Sequence, residues 1–122
     1  MSELKQKPLI VQDLMMATTR SGLRWEPFRD GVEIHRLYDR GENGPSAALL
    51  RYQPGARIPM HAHPGYEHIF VLSGSQIDQG GSHLAGTLVI NPPGSRHDVH
   101  SPEGCTVLAI WERPVVFLGN ET

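Results

Sequence analysis

Three of the seven histidines in this chain fall within eight residues of the segment PMHAHPGYEHIF, Pro59 to Phe70, and a glutamate stands between the second and the third. Neutral imidazoles offer nitrogen lone pairs and a carboxylate offers oxygens, which together make a donor set for a divalent cation. Side chains alternate along a strand, so His61 and His63 share a face, and Glu67 joins them if the bend at Pro64-Gly65 preserves parity. Ala62 and His68 then face away. Buried ionisable groups are tolerated where they are paired or bind a metal, so two imidazoles and a carboxylate on one interior face imply an ion. His97, which begins a new strand after the turn NPPGSR, is the candidate fourth donor. The expectation is one divalent metal held by His61, His63, Glu67 and His97. A single cysteine cannot make a thiolate-rich site, so zinc, iron, manganese, nickel or copper in a nitrogen and oxygen shell is expected.

Positioning those donors requires short strands joined by tight turns. Ten prolines and thirteen glycines are scattered as punctuation between short apolar runs, the pattern of an all-β sandwich or barrel. Strands are expected at Val32–Tyr38, Ser46–Gln53, Ile58–His63, Glu67–Ser73, Ser75–Asp78, Thr87–Asn91, His97–Ser101 and Cys105–Trp111, a set that suits a jelly roll. The pairs Pro54-Gly55, Pro64-Gly65 and Pro93-Gly94 fit type II turns, because proline presets the first central φ and glycine accepts a positive φ at the next. One or two helical turns are expected within VQDLMMATTR, Val11 to Arg20, where Val11, Leu14 and Met15 recur at spacings of three and four. Met15 and Met16 are expected to pack against the sandwich, ahead of a part in a dimer contact. The predicted organisation is an N-terminal extension over residues 1–23 with at most one short helix, then a single β-barrel domain over residues 24–122.

Gly55, His61, His63, Glu67 and Gly74 stand at spacings that resemble the first cupin motif, and Gly86, Pro92, Gly94 and His97 resemble the second. The resemblance implies a small double-stranded β-helix, the jelly-roll cupin barrel, with a metal near its centre and His61, His63, Glu67 and His97 as ligands. Gly86 can open a strand, Pro92 and Pro93 end it, and Gly94 makes the turn that delivers His97. The sequence departs from the pattern twice. Ser101 stands where the second motif often has asparagine, and the eleven residues between Gly74 and Gly86 predict a tight hairpin and a more open barrel mouth. A narrower resemblance, carried by PGARIPMHAHPGYEHIFVLSG, AGTLVINPPGSRH and SPEGCTVLAIW, is to the cupin domain of ChrR-type anti-sigma factors, over about residues 24 to 113. Those factors grip a sigma factor through a separate helical domain that has no counterpart in this sequence, so anti-sigma activity is not implied.

Two functions follow from this resemblance and the donor set. The first is a ChrR-like module in which the ion, zinc or iron ahead of manganese or nickel, senses or binds a small molecule or oxidant and works with a partner protein. The second is a dioxygenase-type enzyme acting on a small chelating substrate, since four protein ligands leave about two positions open on a six-coordinate ion. Both place a small-molecule ligand or substrate in the barrel, and the resemblance implies a homodimer.

Charge and composition argue against other classes. Eleven basic and thirteen acidic residues give a net charge of -2, which offers no field to attract nucleic acid or an anionic membrane. No apolar run approaches the roughly 18 residues of a membrane span, and the polar opening MSELKQK does not read as a signal peptide, so a cytoplasmic address is expected. Cys105 lies in an apolar run and reads as a small buried hydrophobe. His35, His83 and His100 read as surface residues. Trp25 and Trp111 read as plugs of the core or of a subunit contact, and Arg57 and Arg96 as surface salt-bridging groups. Tyr52, Tyr66, Ile69 and Val99 are candidates for the cavity wall.

Overall fold

The structure is a computed structural model that describes residues 7–119. The first six residues of the expected N-terminal extension and the last three of the chain lie outside the described residues. The elements are α1 (Ala17–Ser21), β1 (Glu26–Arg29), β2 (Val32–Asp39), β3 (Ser46–Tyr52), β4 (Ala56–Ala62), β5 (Glu67–Asp78), β6 (Gly81–Leu84), β7 (Leu88–Asn91), β8 (Arg96–Ser101), β9 (Cys105–Trp111) and β10 (Val116–Phe117). All the strand pairings are antiparallel. One face of the barrel runs β1-β2-β3-β9-β5, with β7 on the far side of β5. The second half of β5 pairs with β6 and touches β8, and β8 continues through β4 to β10.

Strand alternation builds the interior. Ile69 and Val71 of β5 and Cys105, Val107 and Ala109 of β9 point inward, where they meet Val32, Ile34, Leu50 and Val99 in one apolar core. β5 serves both faces because it turns a corner at Gly74. There the backbone adopts φ 74°, and a Cβ would sit 2.0 Å from the carbonyl oxygen of Gly104, so only glycine fits. A register shift between Val71 and Ser73 prepares the bend. Just beyond it the wholly buried Ser101 donates its hydroxyl to the Ser75 carbonyl at 2.5 Å, tying β8 to β5. The serine that departs from the motif therefore has a bonding role of its own.

The observed elements differ from the expected ones in ways that have physical causes. The runs Glu67–Ser73 and Ser75–Asp78 form one strand, because Gly74 bends the chain without interrupting its pairing. β1, β6 and β10 are additional short strands that carry Pro27, Gly81 or only two residues, too little pattern to announce a strand. Helix α1 has only five residues, since Asp13 takes a left-handed φ of 57° and breaks the run expected from Val11. Met15 and Met16 are exposed and do not pack on the barrel. The segment is anchored instead by Trp25, whose indole donates to the Arg20 carbonyl at 2.8 Å and lies under the Arg51 guanidinium at 4.2 Å. Among the described residues no helix is long and apolar enough to cross a membrane.

Candidate metal centre

Neighbouring strands bring the expected donors together. His61 on β4 and His97 on β8 are direct cross-strand partners. His63 lies one residue past β4, where its N–H donates to the Ser95 carbonyl at 2.9 Å and its carbonyl accepts from Gly94 N–H at 2.8 Å. The turn after Pro92 is thus stitched to the first motif, with Gly94 at a φ of 90°. Glu67 opens β5, paired with Asn91 on β7 and Trp111 on β9. All four residues are buried, and one donor atom from each lies within 4.8 Å of the others.

Hydrogen bonds on the outer side of the cluster fix which nitrogens carry protons. His61 Nδ1 lies 2.8 Å from the Pro59 carbonyl, and His97 Nδ1 lies 2.9 Å from Asp78 Oδ2; both partners only accept, so both Nδ1 atoms donate. Ser95 Oγ donates its one hydrogen to the Pro92 carbonyl at 2.6 Å, so it accepts from His63 Nδ1 at 2.9 Å. In its neutral form each imidazole therefore turns an Nε2 lone pair toward the others. Glu67 is oriented in the same way, accepting from Asn91 Nδ2 at 2.9 Å and from Trp111 Nε1 at 2.7 Å.

This arrangement sets an electrostatic requirement. His63 Nε2 is buried with no hydrogen-bond partner, yet it lies 3.0 Å from Glu67 Oε1. With His63 neutral and its proton on Nδ1, no N–H remains on Nε2 to share with that oxygen. Two lone-pair-bearing atoms so close together in a dry interior repel each other unless a cation sits between them. The residues therefore fit a divalent ion with nitrogen and oxygen preferences. Burial holds His61 below its ordinary 6.5, against the opposing pull of the Pro59 carbonyl. Burial alone would raise Glu67, but His63, His97 and the Trp111 indole outweigh it and keep the carboxyl below its usual range. Both shifts favour the ligating protonation states.

A second layer supports His97. Asp78 is shielded from solvent and accepts from His97, from His83 Nε2 at 2.9 Å and from Gly80 N–H at 2.8 Å. Burial acts to raise its carboxyl, and these donors more than offset it, leaving it below the ordinary carboxylate range. His83 is thus a half-buried partner of Asp78 and not the surface residue expected from its place beside a glycine turn. Sequence reading also passed over Asp78, Asn91 and Ser95. Their only signal was polar chemistry inside or next to strands that frame the motifs.

Beside His61, Glu67 and His97 lies a cavity of about 30 Å³, walled by Phe28, Tyr52, Ile69, Val99, Trp111 and Phe117 among others. Tyr52, Ile69 and Val99 line it as expected, whereas Tyr66 is exposed on the outside. Trp111 is both a wall and a donor to Glu67, a larger role than a core plug. Phe28, Val115 and Phe117 contribute to the wall of this space beside the donors. A wider surface cleft of about 770 Å³ beside Arg29 and Gln53 contains none of the four donor residues. Arg57 makes an exposed pair with Asp98 at 3.6 Å, and Cys105 is buried with its thiol pushed up to about 11 by desolvation, so it is inert at neutral pH.

Comparison with known proteins places this architecture. A chain of the complex between Rhodobacter sphaeroides SigE and the anti-sigma ChrR shares the fold at a TM-score of 0.66 and 22% identity, over 88% of this chain and 70% of that one. A Methylibium petroleiphilum protein described as a candidate acetylacetone dioxygenase superposes at a TM-score of 0.80 and 20% identity, over 99% of this chain and 88% of the other. A Ralstonia eutropha protein of unknown function with a cupin-like fold matches at a TM-score of 0.68 and 24% identity over 75% of this chain, which spans 60% of that protein's length. No curated protein matches the sequence. The family described as the ChrR Cupin-like domain matches residues 12–115, and the chain therefore belongs to that cupin family.

Proposed function

We propose that this protein binds one divalent metal ion through His61, His63, Glu67 and His97 and uses the site, in the manner of a ChrR-like module, to sense or bind a small molecule or oxidant. The observation that carries the reading is the convergence of three unprotonated Nε2 atoms and a carboxylate, with His63 Nε2 orphaned 3.0 Å from Glu67 Oε1. A bound divalent ion would supply Lewis acidity, lowering the pKa of a coordinated water and accepting a chelating donor. The chain's own residues do the rest. Pro59, Ser95 and Asp78 hold the imidazoles in the ligating tautomer, Asn91 and Trp111 hold the carboxylate, and the apolar wall excludes bulk water. Metal analysis of the purified protein tests this directly: near-stoichiometric zinc, iron, manganese or nickel supports the reading, and a metal-replete preparation carrying no ion ends it.

A second reading is a mononuclear dioxygenase-type enzyme for a small chelating substrate. It is supported by the cavity, which touches His61, Glu67 and His97 but not His63 and so leaves apolar room on one side of the donors, and by the near-complete overlap with the candidate acetylacetone dioxygenase. Oxygen uptake by iron-loaded protein with acetylacetone, lost in His97→Ala, would favour the enzyme. Capture of a partner protein only in one redox state would favour the sensor. A homodimer is also part of the proposal, supported by Leu88, Ile90 and Ile110, which lie exposed on the outer face; light scattering would measure it.

A further inference from the structure

We propose that Phe117 gates the ligand cluster, and that the cleft outside it takes the apolar body of a small uncharged organic ligand whose oxygen donors reach the cluster when the gate opens. The proposal rests on the metal reading above for the ligand's polar end. Two cavities share one wall. The inner one, about 30 Å³, lies against His61, Glu67 and His97, and the outer one, about 500 Å³, lies between β2 and the segment that follows β9. Phe28, Trp111, Val115 and Phe117 line both. The inner space has room for about one or two water molecules, so movement of part of that wall would let a larger ligand reach the donors.

Phe117 is held more weakly than Trp111. Trp111 ends the seven-residue β9 and is bonded to Glu67, whereas Phe117 belongs to a two-residue strand attached by the pairs Val116↔Ala62 and Phe117↔His61, with Leu118 N–H donating to the Met60 carbonyl at 3.2 Å beyond it. Its ring stands 5.5 Å from that of His61 and under the Arg29 guanidinium at 3.8 Å. Contacts of this kind break in local openings that cost far less than global unfolding. Charge selects the ligand class. Among the described residues no lysine or arginine lines the inner cavity. The outer cleft holds Arg36 against Asp39 and Glu42, one positive and two negative groups, and Arg36 is already paired with Asp39 at 3.9 Å. The lining of the outer cleft offers an anionic ligand body no unpaired cation, the Arg29 guanidinium beside the gate is stacked on the Phe117 ring, and Ile34, Pro114, Val115 and the aromatic rings offer apolar surface.

The test titrates cobalt-loaded protein with acetohydroxamic and benzohydroxamic acid, uncharged probes with the same oxygen donors that differ by a phenyl ring, read by the visible cobalt bands. Benzohydroxamic acid should bind about tenfold tighter, since its ring is buried in the outer cleft. Phe117→Ala should speed association of both probes by roughly tenfold. Equal affinity for the two, tighter binding of azide than of either, or association rates unmoved by Phe117→Ala would each overturn the proposal. In metal-free protein, carbethoxylation of His61 by diethylpyrocarbonate, mapped by mass spectrometry against His35, should be slow in the wild type and about tenfold faster in Phe117→Ala. Equal rates overturn the gate whatever the metal result. Acceleration in a protein that takes up no cobalt keeps the gate and sinks the metal reading, so the two failures are told apart. Phe117→Leu should shift each rate less in the same direction, and it decides the matter if the alanine variant does not fold.

Discussion

The two flanks of the histidine cluster are held by different physics. On the β5–β6 side, Asp78 accepts three hydrogen bonds, from His97, His83 and the Gly80 amide, and is itself fixed to a strand that bends at Gly74. On the β10 side, His61 meets Phe117 through ring contacts and a pairing two residues long. Hydrogen bonds to charged groups are directional, and breaking one in a dry interior leaves an uncompensated charge. Ring contacts are non-directional and give way in small steps. Under the proposed gating, the first flank would keep the donors in place and the second would yield to a ligand.

The largest way to break this contrast is to remove a donor. His97→Ala deletes a proposed ligand and its link to Asp78 together, and metal content measured after gel filtration should fall from near-stoichiometric to trace. Next is the corner that carries Asp78. Gly74→Ala would force a Cβ onto the Gly104 carbonyl in a left-handed backbone, and should cost about 3 kcal/mol or more of stability by thermal melting. Gly55→Ala, also at positive φ (86°) but with nothing within 4 Å, should cost only about 1 kcal/mol.

Asp78→Asn keeps the shape but not the charge, and should weaken metal affinity by about 10- to 100-fold in competition with a chelator. His83→Ala, one bond further out, should weaken it less. The smallest effect is on pH. In metal-free protein the depressed His61 makes the folded state bind fewer protons than the unfolded one, so its stabilisation is complete above the ordinary 6.5 and is lost as pH falls through the folded value. Glu67 and Asp78 are depressed carboxyls, so their contribution is present above the ordinary carboxylate range and is lost at more acidic pH. The melting temperature should therefore drop in two stages on acidification, and Asp78→Asn should shrink the lower stage. A single stage in both proteins would show that Asp78 and Glu67 are not held as the geometry requires.

Much of this was readable from residue types and spacing. Alternation alone put His61 and His63 on one face and sent His68 to the other, and the Pro92 to His97 turn pointed to the fourth donor before any strand pairing was known. Gly74 was harder: as a glycine between two apolar runs it looked like a break, and only the approach of the Gly104 backbone shows that it is a bend within one strand. The same holds for Asp78 and His83, since a carboxylate and an imidazole five residues apart carry no mark of a shared partner on a third segment.

Local chemistry thus determined the strand-rich class and which histidines and glutamate could share a face, because these depend on residue type and a period of two. Tertiary structure decided the hydrogen-bond partners of each imidazole, the placing of Phe28 and Phe117 beside the donors, and the chain of contacts behind His97. Each of those depends on which distant strands lie side by side, and pairing partners are selected by the burial of the whole core.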